Sequence, residues 1–432
     1  MKMLSLGLGL SLGLGCASTV DGRNAVGDAA TPVDLGPRDA GADVTEADTA
    51  APSRCAWSVA SPAVTVVDVD TAGNQLSLED AVETEAGPVA VLRGEAPTGA
   101  IRDTVYAYRV DPALRRDPES LALPFFRLTY QAPSRITARW DASAARLWVA
   151  TEGGEESDRD CQIGFADARQ REVFAFNAVE RNPGIARPLC RSLDARGGDL
   201  NFIAGLFAAP EGVAFFGTQT QLPRFQERLA LEGLALNADV DRALTPTGQM
   251  LFHWAVPRDG GEAVYTRLMS LAGPLGPLRQ VYAGPGEGAL RSRQLVPTST
   301  GWSLVWQQGF DTRPPISGVE VLPLAPDGAP RGAPMPVPSL SFLGGGVDVA
   351  RRGGDTLVAT AIGSGVIRGV FLTLDPTGAE QGAPLALPFE SSGGPFDAMQ
   401  VVPTAEGAVV FAGLRTAMGR RRVQAVALRC TL

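Results

Sequence analysis

The sequence contains a single histidine, His253, and this scarcity excludes several kinds of active site. Ser-His-Asp and Cys-His catalysis both need an imidazole base, so either one would have to use this residue. Zinc sites built from two or more histidines are excluded. His253 lies inside the apolar run "LFHWA" (251–255), which favours a buried, hydrogen-bonded core residue over a catalytic one.

Lysine is equally scarce, since Lys2 is the only one. A phosphate-binding loop of the form G-x-x-x-x-G-K-[ST] is therefore excluded from the rest of the chain. The net charge is −9, and no concentrated basic surface of the kind that nucleic acids require is evident. We therefore expect no nucleic-acid partner, and no motif indicates a cofactor or a metal site.

Long apolar runs are missing beyond the N-terminus, so no transmembrane helix of about 20 apolar residues is expected there. Residues 1–16, "MKMLSLGLGLSLGLGC", have one positive charge, a Leu/Gly-rich run and small residues, which is typical of a secretory signal peptide. The end "LGLGC" resembles a bacterial lipobox, in which the cysteine is lipidated. That resemblance implies a lipid on Cys16 and an exported, outer-membrane lipoprotein facing the periplasm or the cell surface. Ordinary cleavage after Ala17 is the alternative.

Aromatic residues are absent from residues 17–54, which consist mainly of Ala, Asp, Gly, Thr and Pro. Such a segment cannot bury enough apolar surface to offset the entropy lost on ordering. We therefore predict a disordered acidic linker over 17–54, with the folded domain covering 55–432.

The C-terminal half contains a repeat of short apolar runs. They begin at Met250, Ser303, Thr356 and Ala408, about 52 or 53 residues apart, and each follows a polar turn with glycine in or near it. The runs are rich in Val, Leu and aromatics, and Gly and Pro occupy the turns between them. A four-stranded unit of about 50 residues that repeats many times is the signature of a β-propeller.

Upstream, runs that begin at Val89, Leu147 and Val213 have the composition of the same second strand, although their spacing is uneven. Seven candidate units fit residues 55–432, so we predict an all-β propeller of seven four-stranded blades. Six or eight blades are alternatives. A pair of β-sandwich domains is the rival architecture, and the nearly constant interval argues against it.

The turns "APDG" (325–328) and "DPTG" (375–378) resemble those of TolB-like and WD40-like propellers, without their WD or Asp-box signatures. With the signal peptide and the acidic linker, the whole chain resembles the lipoproteins of myxobacteria and their relatives that carry a degenerate propeller. That resemblance implies an architecture and a membrane anchor, and it implies no particular activity.

Five cysteines are an odd number, and a lipid on Cys16 would leave four. Disulfides persist outside the cytoplasm, and four cysteines allow three pairings. The last unit has only three strands, so the N-terminal strand must complete its sheet. "CAWSVAS" or "AVTVVDVD" would supply that strand and place Cys55 beside Cys430. Cys161 and Cys190 would then be the second pair, linked within one unit. We expect both disulfides to be structural.

Three tryptophans occupy matching parts of adjacent units. Trp254, Trp302 and Trp306 lie near Asp311, and aromatic rings beside amides and carboxylates suit a carbohydrate or a peptide. These four residues form a candidate ligand face. Packing between units is the favoured alternative for the tryptophans.

The combination of export signal, tether and propeller predicts a monomeric, non-catalytic binding or scaffold module at the cell envelope, anchored in a membrane by its lipid. Its partner would be an envelope protein or a glycan. Two alternatives stay open. One is a propeller enzyme that acts on glycans as a hydrolase or lyase through channel carboxylates, which is an analogy of fold only. The other is a structural subunit of an envelope protein complex.

Overall fold

The structure is a computed structural model, and it describes residues 55–68, 75–95, 104–115, 126–127, 135–153, 160–166, 171–176, 185–196, 199–207, 212–218, 224–229, 239–244, 249–258, 261–270, 273–285, 290–308, 318–341, 343–363, 367–389, 396–415 and 421–431. The chain divides into two units after residue 46, and every strand belongs to the unit of residues 47–432. Within the described ranges, no helix is long and apolar enough to cross a membrane.

Every regular element in these ranges is a β-strand, as the short Val- and Leu-rich runs between Gly and Pro turns predict. In chain order the strands are β1 (Ala56–Val59), β2 (Val64–Val67), β3 (Gln75–Thr84), β4 (Gly87–Glu95), β5 (Thr104–Arg109), β6 (Phe126–Arg127), β7 (Arg135–Asp141), β8 (Arg146–Gly153), β9 (Asp160–Ala166), β10 (Arg171–Phe176), β11 (Ile185–Arg196), β12 (Asp199–Phe207), β13 (Gly212–Thr218), β14 (Arg224–Leu229), β15 (Asp239–Leu244), β16 (Met250–Arg258), β17 (Gly261–Ser270), β18 (Gly273–Pro274), β19 (Arg279–Pro285), β20 (Leu290–Thr298), β21 (Gly301–Gln308), β22 (Gly318–Leu324), β23 (Met335–Ser341), β24 (Leu343–Arg352), β25 (Asp355–Ile362), β26 (Arg368–Leu374), β27 (Leu385–Ala386), β28 (Phe396–Pro403), β29 (Gly407–Arg415) and β30 (Arg421–Thr431).

The strands of the described ranges group into seven antiparallel sheets, and successive strands of the chain pair as neighbours. Six sheets begin at β3, β7, β11, β15, β20 and β24, and the last consists of β28, β29, β30, β1 and β2. The first strands contact one another in the order β3, β7, β11, β15, β20, β24, β28 and again β3. Four-stranded sheets repeated around a closed ring of first strands make a β-propeller.

The N-terminal strand completes the last sheet, as its missing fourth strand predicted. β1 pairs with β30 in antiparallel register from Ala56 opposite Thr431 to Val59 opposite Leu428, and β2 pairs with the same strand. A disulfide joins Cys55 to Cys430, whose Cα atoms are 5.1 Å apart. The two ends of the propeller are therefore linked both by hydrogen bonds and by a covalent bond.

Turns of one sheet pack on the preceding sheet. Gly328 and Gly378 lie at φ +79° and +85°, and each amide donates to the carbonyl three residues earlier. A Cβ added at Gly328 would lie 2.7 Å from Leu251 Cδ1, in the preceding sheet. Leu114 has the same turn geometry at φ 59°. Its side chain packs in a core cluster that contains Val409 of the last sheet, so this turn seals the first sheet to the last.

Two local predictions need correction. The run at Val213 belongs to β13, the third strand of its sheet, and the second strand is β12, which begins midway between β8 and β16. "VAFFGT" has the composition of a second strand, whereas β12 begins with "DLN", so composition misled the assignment. Cys161 lies in β9 and Cys190 in β11, hence in successive sheets rather than in one unit, and their side chains lie outside the described part of the chain.

Removal of the seam disulfide should destabilise the protein without changing its fold. We expect Cys430→Ser to lower the free energy of unfolding by about 2–5 kcal/mol, because the bond restricts the unfolded chain over a sequence separation of 375 residues. Urea unfolding monitored by circular dichroism measures the change. Cys55→Ser removes the same bond, so the double variant should be no less stable than either single one. Additive losses would contradict the link.

Candidate functional site

Each first strand of the ring pairs on one side only, so its other edge carries backbone groups that need partners. Side chains of the neighbouring sheet supply some of them. Asp80 on β3 accepts a hydrogen bond from the Ala138 amide on β7 at 2.7 Å. Asp348 on β24 accepts one from the Val401 amide on β28, also at 2.7 Å. A carboxyl oxygen thus replaces the backbone partner that an adjacent strand would otherwise provide.

Two glutamines do the same elsewhere in the ring. Gln294 on β20 donates to the Val347 carbonyl and accepts from the Val349 amide, both at 3.1 Å, so it bridges β20 to β24. Gln400 on β28 donates to the Glu79 carbonyl on β3 at 3.4 Å, across the seam. We call Asp80, Gln294, Asp348 and Gln400 the clasp residues. The four clasp residues occupy equivalent positions, because each pairs in register with the fifth residue of the second strand of its sheet. Those partners are Val91, Val305, Ala359 and Phe411.

Charged side chains meet near the clasp residues. Arg135 on β7 forms an ion pair with Asp241 on β15 at 3.0 Å, and these strands belong to sheets separated by the sheet of β11. Arg139 lies 3.7 Å from Asp80. Burial disfavours the charge of Arg135, but Asp241, Glu152 and Asp80 outweigh that effect and raise its pKa. We define the ring cluster as Asp80, Arg135, Asp241, His253, Arg293 and Asp348.

His253 belongs to the core, as its apolar surroundings predicted. It lies opposite Asp241 in the register of β15 and β16, and only 2% of its surface is exposed. Burial lowers its pKa to about 4; Asp241 opposes that shift, and Arg293 and Arg135 add to it. Its Nδ1 has no hydrogen-bond partner among the described residues. A neutral, shielded imidazole of this kind is poorly placed to exchange protons with a substrate.

The pKa of Asp348 is shifted in the opposite direction from that of His253. Burial raises its pKa to about 7, the Val401 amide opposes the shift, and the charge of Asp80 adds to it. A carboxyl with a raised pKa and a histidine with a lowered pKa often mark an acid–base site. Here both groups are buried, and one Asp348 oxygen is engaged by a backbone amide. The geometry therefore favours a structural role for both groups.

The predicted ligand face is not formed by the tryptophans. Trp254, Trp302 and Trp306 are 0%, 1% and 0% exposed, so none presents a ring to solvent. Trp254 lies in a core cluster of its own sheet, whereas Trp302 and Trp306 lie in a cluster between that sheet and the next. The Trp302 Nε1 also donates to the Pro326 carbonyl at 3.2 Å. Core packing, the alternative that the sequence favoured, therefore accounts for the three rings, and for Trp302 and Trp306 it is packing between neighbouring sheets. Asp311 lies outside the described residues.

Metal ligands do not gather anywhere in the described part of the chain: no group of three or more His, Cys, Asp or Glu side chains could hold an ion there. Sequence reasoning missed the clasp residues. A signal was present, because Gln294, Asp348 and Gln400 are polar residues that each stand directly before a leucine or a valine and recur at nearly the spacing of the repeat.

Comparison with known proteins supports the fold and identifies no family. No family model matches the chain, and no curated protein matches it. A solved structure of a protein of unknown function from Dyadobacter fermentans is similar with a TM-score of 0.53 and 10% identity, over 87% of this chain and 99% of that one. At that identity the likeness concerns the fold alone.

Two further structures are similar with TM-scores below 0.5. The β-propeller domain of the Trilobed protease from Pyrococcus furiosus has a TM-score of 0.47 and 10% identity, over 82% of this chain and 97% of that one. A puromycin-hydrolyzing peptidase from Mycobacterium tuberculosis has a TM-score of 0.48 and 15% identity, over 85% of this chain and 53% of that one.

The single histidine gives a clean test of the ring cluster. Because no other imidazole contributes, the His253 ring protons can be followed by NMR without assignment of the whole spectrum. We expect no titration above about pH 5, since burial holds the pKa at about 4. The unfolded protein in urea serves as the control and should titrate near pH 6.5. A folded-state midpoint above pH 6 would contradict a buried, neutral histidine.

Asp348→Asn should change how stability depends on pH. The pKa of Asp348 is higher in the folded protein than in the unfolded chain, where it is near 3.8, so the folded state binds more protons between these values. This group's contribution to stability is therefore present at low pH and is lost as the pH rises toward 7, by about 1.4 kcal/mol for each pH unit between the two pKa values. His253 acts in the opposite sense, because its stabilising contribution is lost as the pH falls from 6.5 toward 4.

We expect the melting temperature of Asp348→Asn to rise relative to wild type between pH 5 and pH 8. Asn keeps an acceptor for the Val401 amide and has no charge to bury. Asp68→Asn is the matched control, because it makes the same carboxyl-to-amide change at an exposed residue, which pairs with Arg422 at 3.3 Å. Parallel profiles for wild type and Asp348→Asn would contradict the assignment.

Proposed function

We propose that this protein is an exported β-propeller of seven blades that serves as a non-catalytic binding or scaffold module at the cell envelope. The observation that carries the proposal is the disulfide between Cys55 and Cys430, which closes the ring at its seam. Disulfides persist in the oxidising compartments outside the cytoplasm and are rare inside it. A propeller closed by a disulfide is therefore suited to the compartment that the signal sequence of residues 1–16 predicts.

In this proposal each of the seven sheets is one blade. Residues 17–54 form the tether, residues 55–432 form the propeller, and a lipid on Cys16 anchors the protein in the outer membrane. Cys161 and Cys190 form the second disulfide. The domain acts as a monomer, and its partner is an envelope protein or a glycan.

The ring cluster supports binding over catalysis. Its charged groups are engaged with each other or with the backbone: Arg135 pairs with Asp241, and Asp80 and Asp348 accept amide hydrogen bonds from the next sheet. Carboxylates occupied in this way hold the sheets together. They are not free to act as the pair of acids that glycoside hydrolysis requires.

The anchor and the function can be tested in one series. Expressed with its signal sequence in a bacterium that processes lipoproteins, the full chain should incorporate labelled palmitate and fractionate with membranes. Cys16→Ala should lose the label and be recovered in the soluble fraction, and Cys55→Ser serves as the control that removes another cysteine and keeps the label. A labelled Cys16→Ala protein would contradict the anchor.

The same preparations distinguish binding from catalysis. We expect the purified protein to retain a glycan or an envelope protein at constant stoichiometry and to leave a broad panel of glycans unchanged. Turnover of a glycan that Asp241→Asn abolishes, in a variant with the wild-type melting temperature, would overturn the non-catalytic proposal and favour a propeller enzyme.

A further inference from the structure

The two sulfurs of the seam disulfide have different surroundings. Arg352, the last residue of β24, places its Nη1 3.2 Å from the Cys55 Sγ. Among the described residues, no side chain makes a comparable contact with the Cys430 Sγ, whose residue lies on the opposite strand β30. Both cysteines are partly exposed. Within the described residues, a fixed cation therefore makes its contact with the Cys55 sulfur and not with the Cys430 sulfur.

The position of Arg352 is set by other contacts. Its Nη2 donates to the Ala405 carbonyl at 3.1 Å and its Nε to the Thr404 carbonyl at 3.4 Å, both in the turn between β28 and β29. Its guanidinium also lies 5.4 Å from the centre of the Trp57 ring, on the strand that follows Cys55. Asp355 is close enough for Arg352 to lower its pKa, although burial raises that pKa overall.

A neighbouring cation stabilises a thiolate and lowers the pKa of its thiol. In thiol–disulfide exchange, the sulfur whose thiol has the lower pKa leaves faster, and the attacking thiolate becomes bonded to the other sulfur. The contact with Arg352 therefore favours attack at one sulfur over the other, whereas the partial exposure of both sulfurs alone would not.

We infer that Arg352 makes Cys55 the leaving group of the seam disulfide, so that Cys430 is the site at which an external thiol forms a mixed disulfide. The electron pair of the attacking thiolate forms a bond to the Cys430 Sγ. The bond between the two cysteines breaks, and its electron pair passes to the Cys55 Sγ, which becomes a thiolate beside Arg352.

With a dithiol reductant, the second thiolate of the reductant displaces the Cys430 sulfur, which takes up a proton. The reductant leaves as a disulfide, and the two protein cysteines gain its two electrons. β1 is then held to β30 by hydrogen bonds and packing alone, over the four residue pairs of their register. This inference requires only the disulfide and Arg352, and it stands or falls independently of the proposed function.

Glutathione is the probe, because as a monothiol it has no second thiol with which to resolve the mixed disulfide intramolecularly. The folded full-length protein is exposed briefly to reduced glutathione, quenched with acid, treated with excess N-ethylmaleimide to block free thiols and then digested with trypsin at neutral pH. Cleavage after Arg54 and after Arg429 puts Cys55 and Cys430 at the start of separate peptides, so mass spectrometry counts the adduct on each. We expect the adduct on Cys430 to exceed that on Cys55 on the order of tenfold.

Arg352→Gln should reduce this preference to nearly equal amounts and slow the exchange several-fold. Arg351→Gln is the matched control, because it removes the neighbouring positive charge, whose Nε contacts the Gly353 carbonyl instead of a sulfur. Arg352→Lys keeps a cation and should keep the preference for Cys430.

The wild-type distribution tests the inference without any variant. Equal adducts on the two cysteines, or an excess on Cys55, would overturn it. An Arg352→Gln protein that folds, as judged by its circular dichroism, and still directs glutathione to Cys430 would also overturn it.

Discussion

The structure depends on one constraint, which is that a ring of sheets must not end in an open edge. A last sheet built from β28, β29 and β30 alone would leave the backbone of β30 unpaired along its length. β1 and β2 cover that edge, and the disulfide fixes β1 in register beside the last strand. Leu114 and the core around it then close the apolar space between the first and last sheets.

The first strand of each sheet also has an unpaired edge at the inside of the ring, and polar side chains supply partners for some of its backbone groups. Asp80, Gln294, Asp348 and Gln400 reach the backbone of the next first strand, where no strand can pair. Carboxyls used in this way must be buried, and burial raises the pKa of both Asp80 and Asp348. The unusual pKa values of the ring are therefore a consequence of closing the fold, and they are weak evidence of catalysis.

Periodicity made the architecture predictable, because the regular runs from Met250 onward recur at the interval of one sheet. The count of strands in the last unit predicted the seam and its cysteine pair for the same reason. The clasp residues could not be obtained in this way, since they depend on which sheets face each other across the ring. Composition was misleading at Val213, where a third strand is as apolar as a second one. The partnership of Arg352 with Cys55 joins positions 297 residues apart and needed the folded ring.

Closure of the ring places its own demands on the residues of a propeller. The described interior is occupied by tryptophans, clasp residues and an ion pair, and the clasp residues and the ion pair join one sheet to another. Fold alone does not determine function, because sites are built on a fold by the residues that remain free of structural duties. Among the described residues, the proposed partner site would therefore have to use those that take part in neither the clasp contacts nor the ion pair. A partner bound at such residues would leave the contacts between sheets unchanged, so affinity and stability could vary independently.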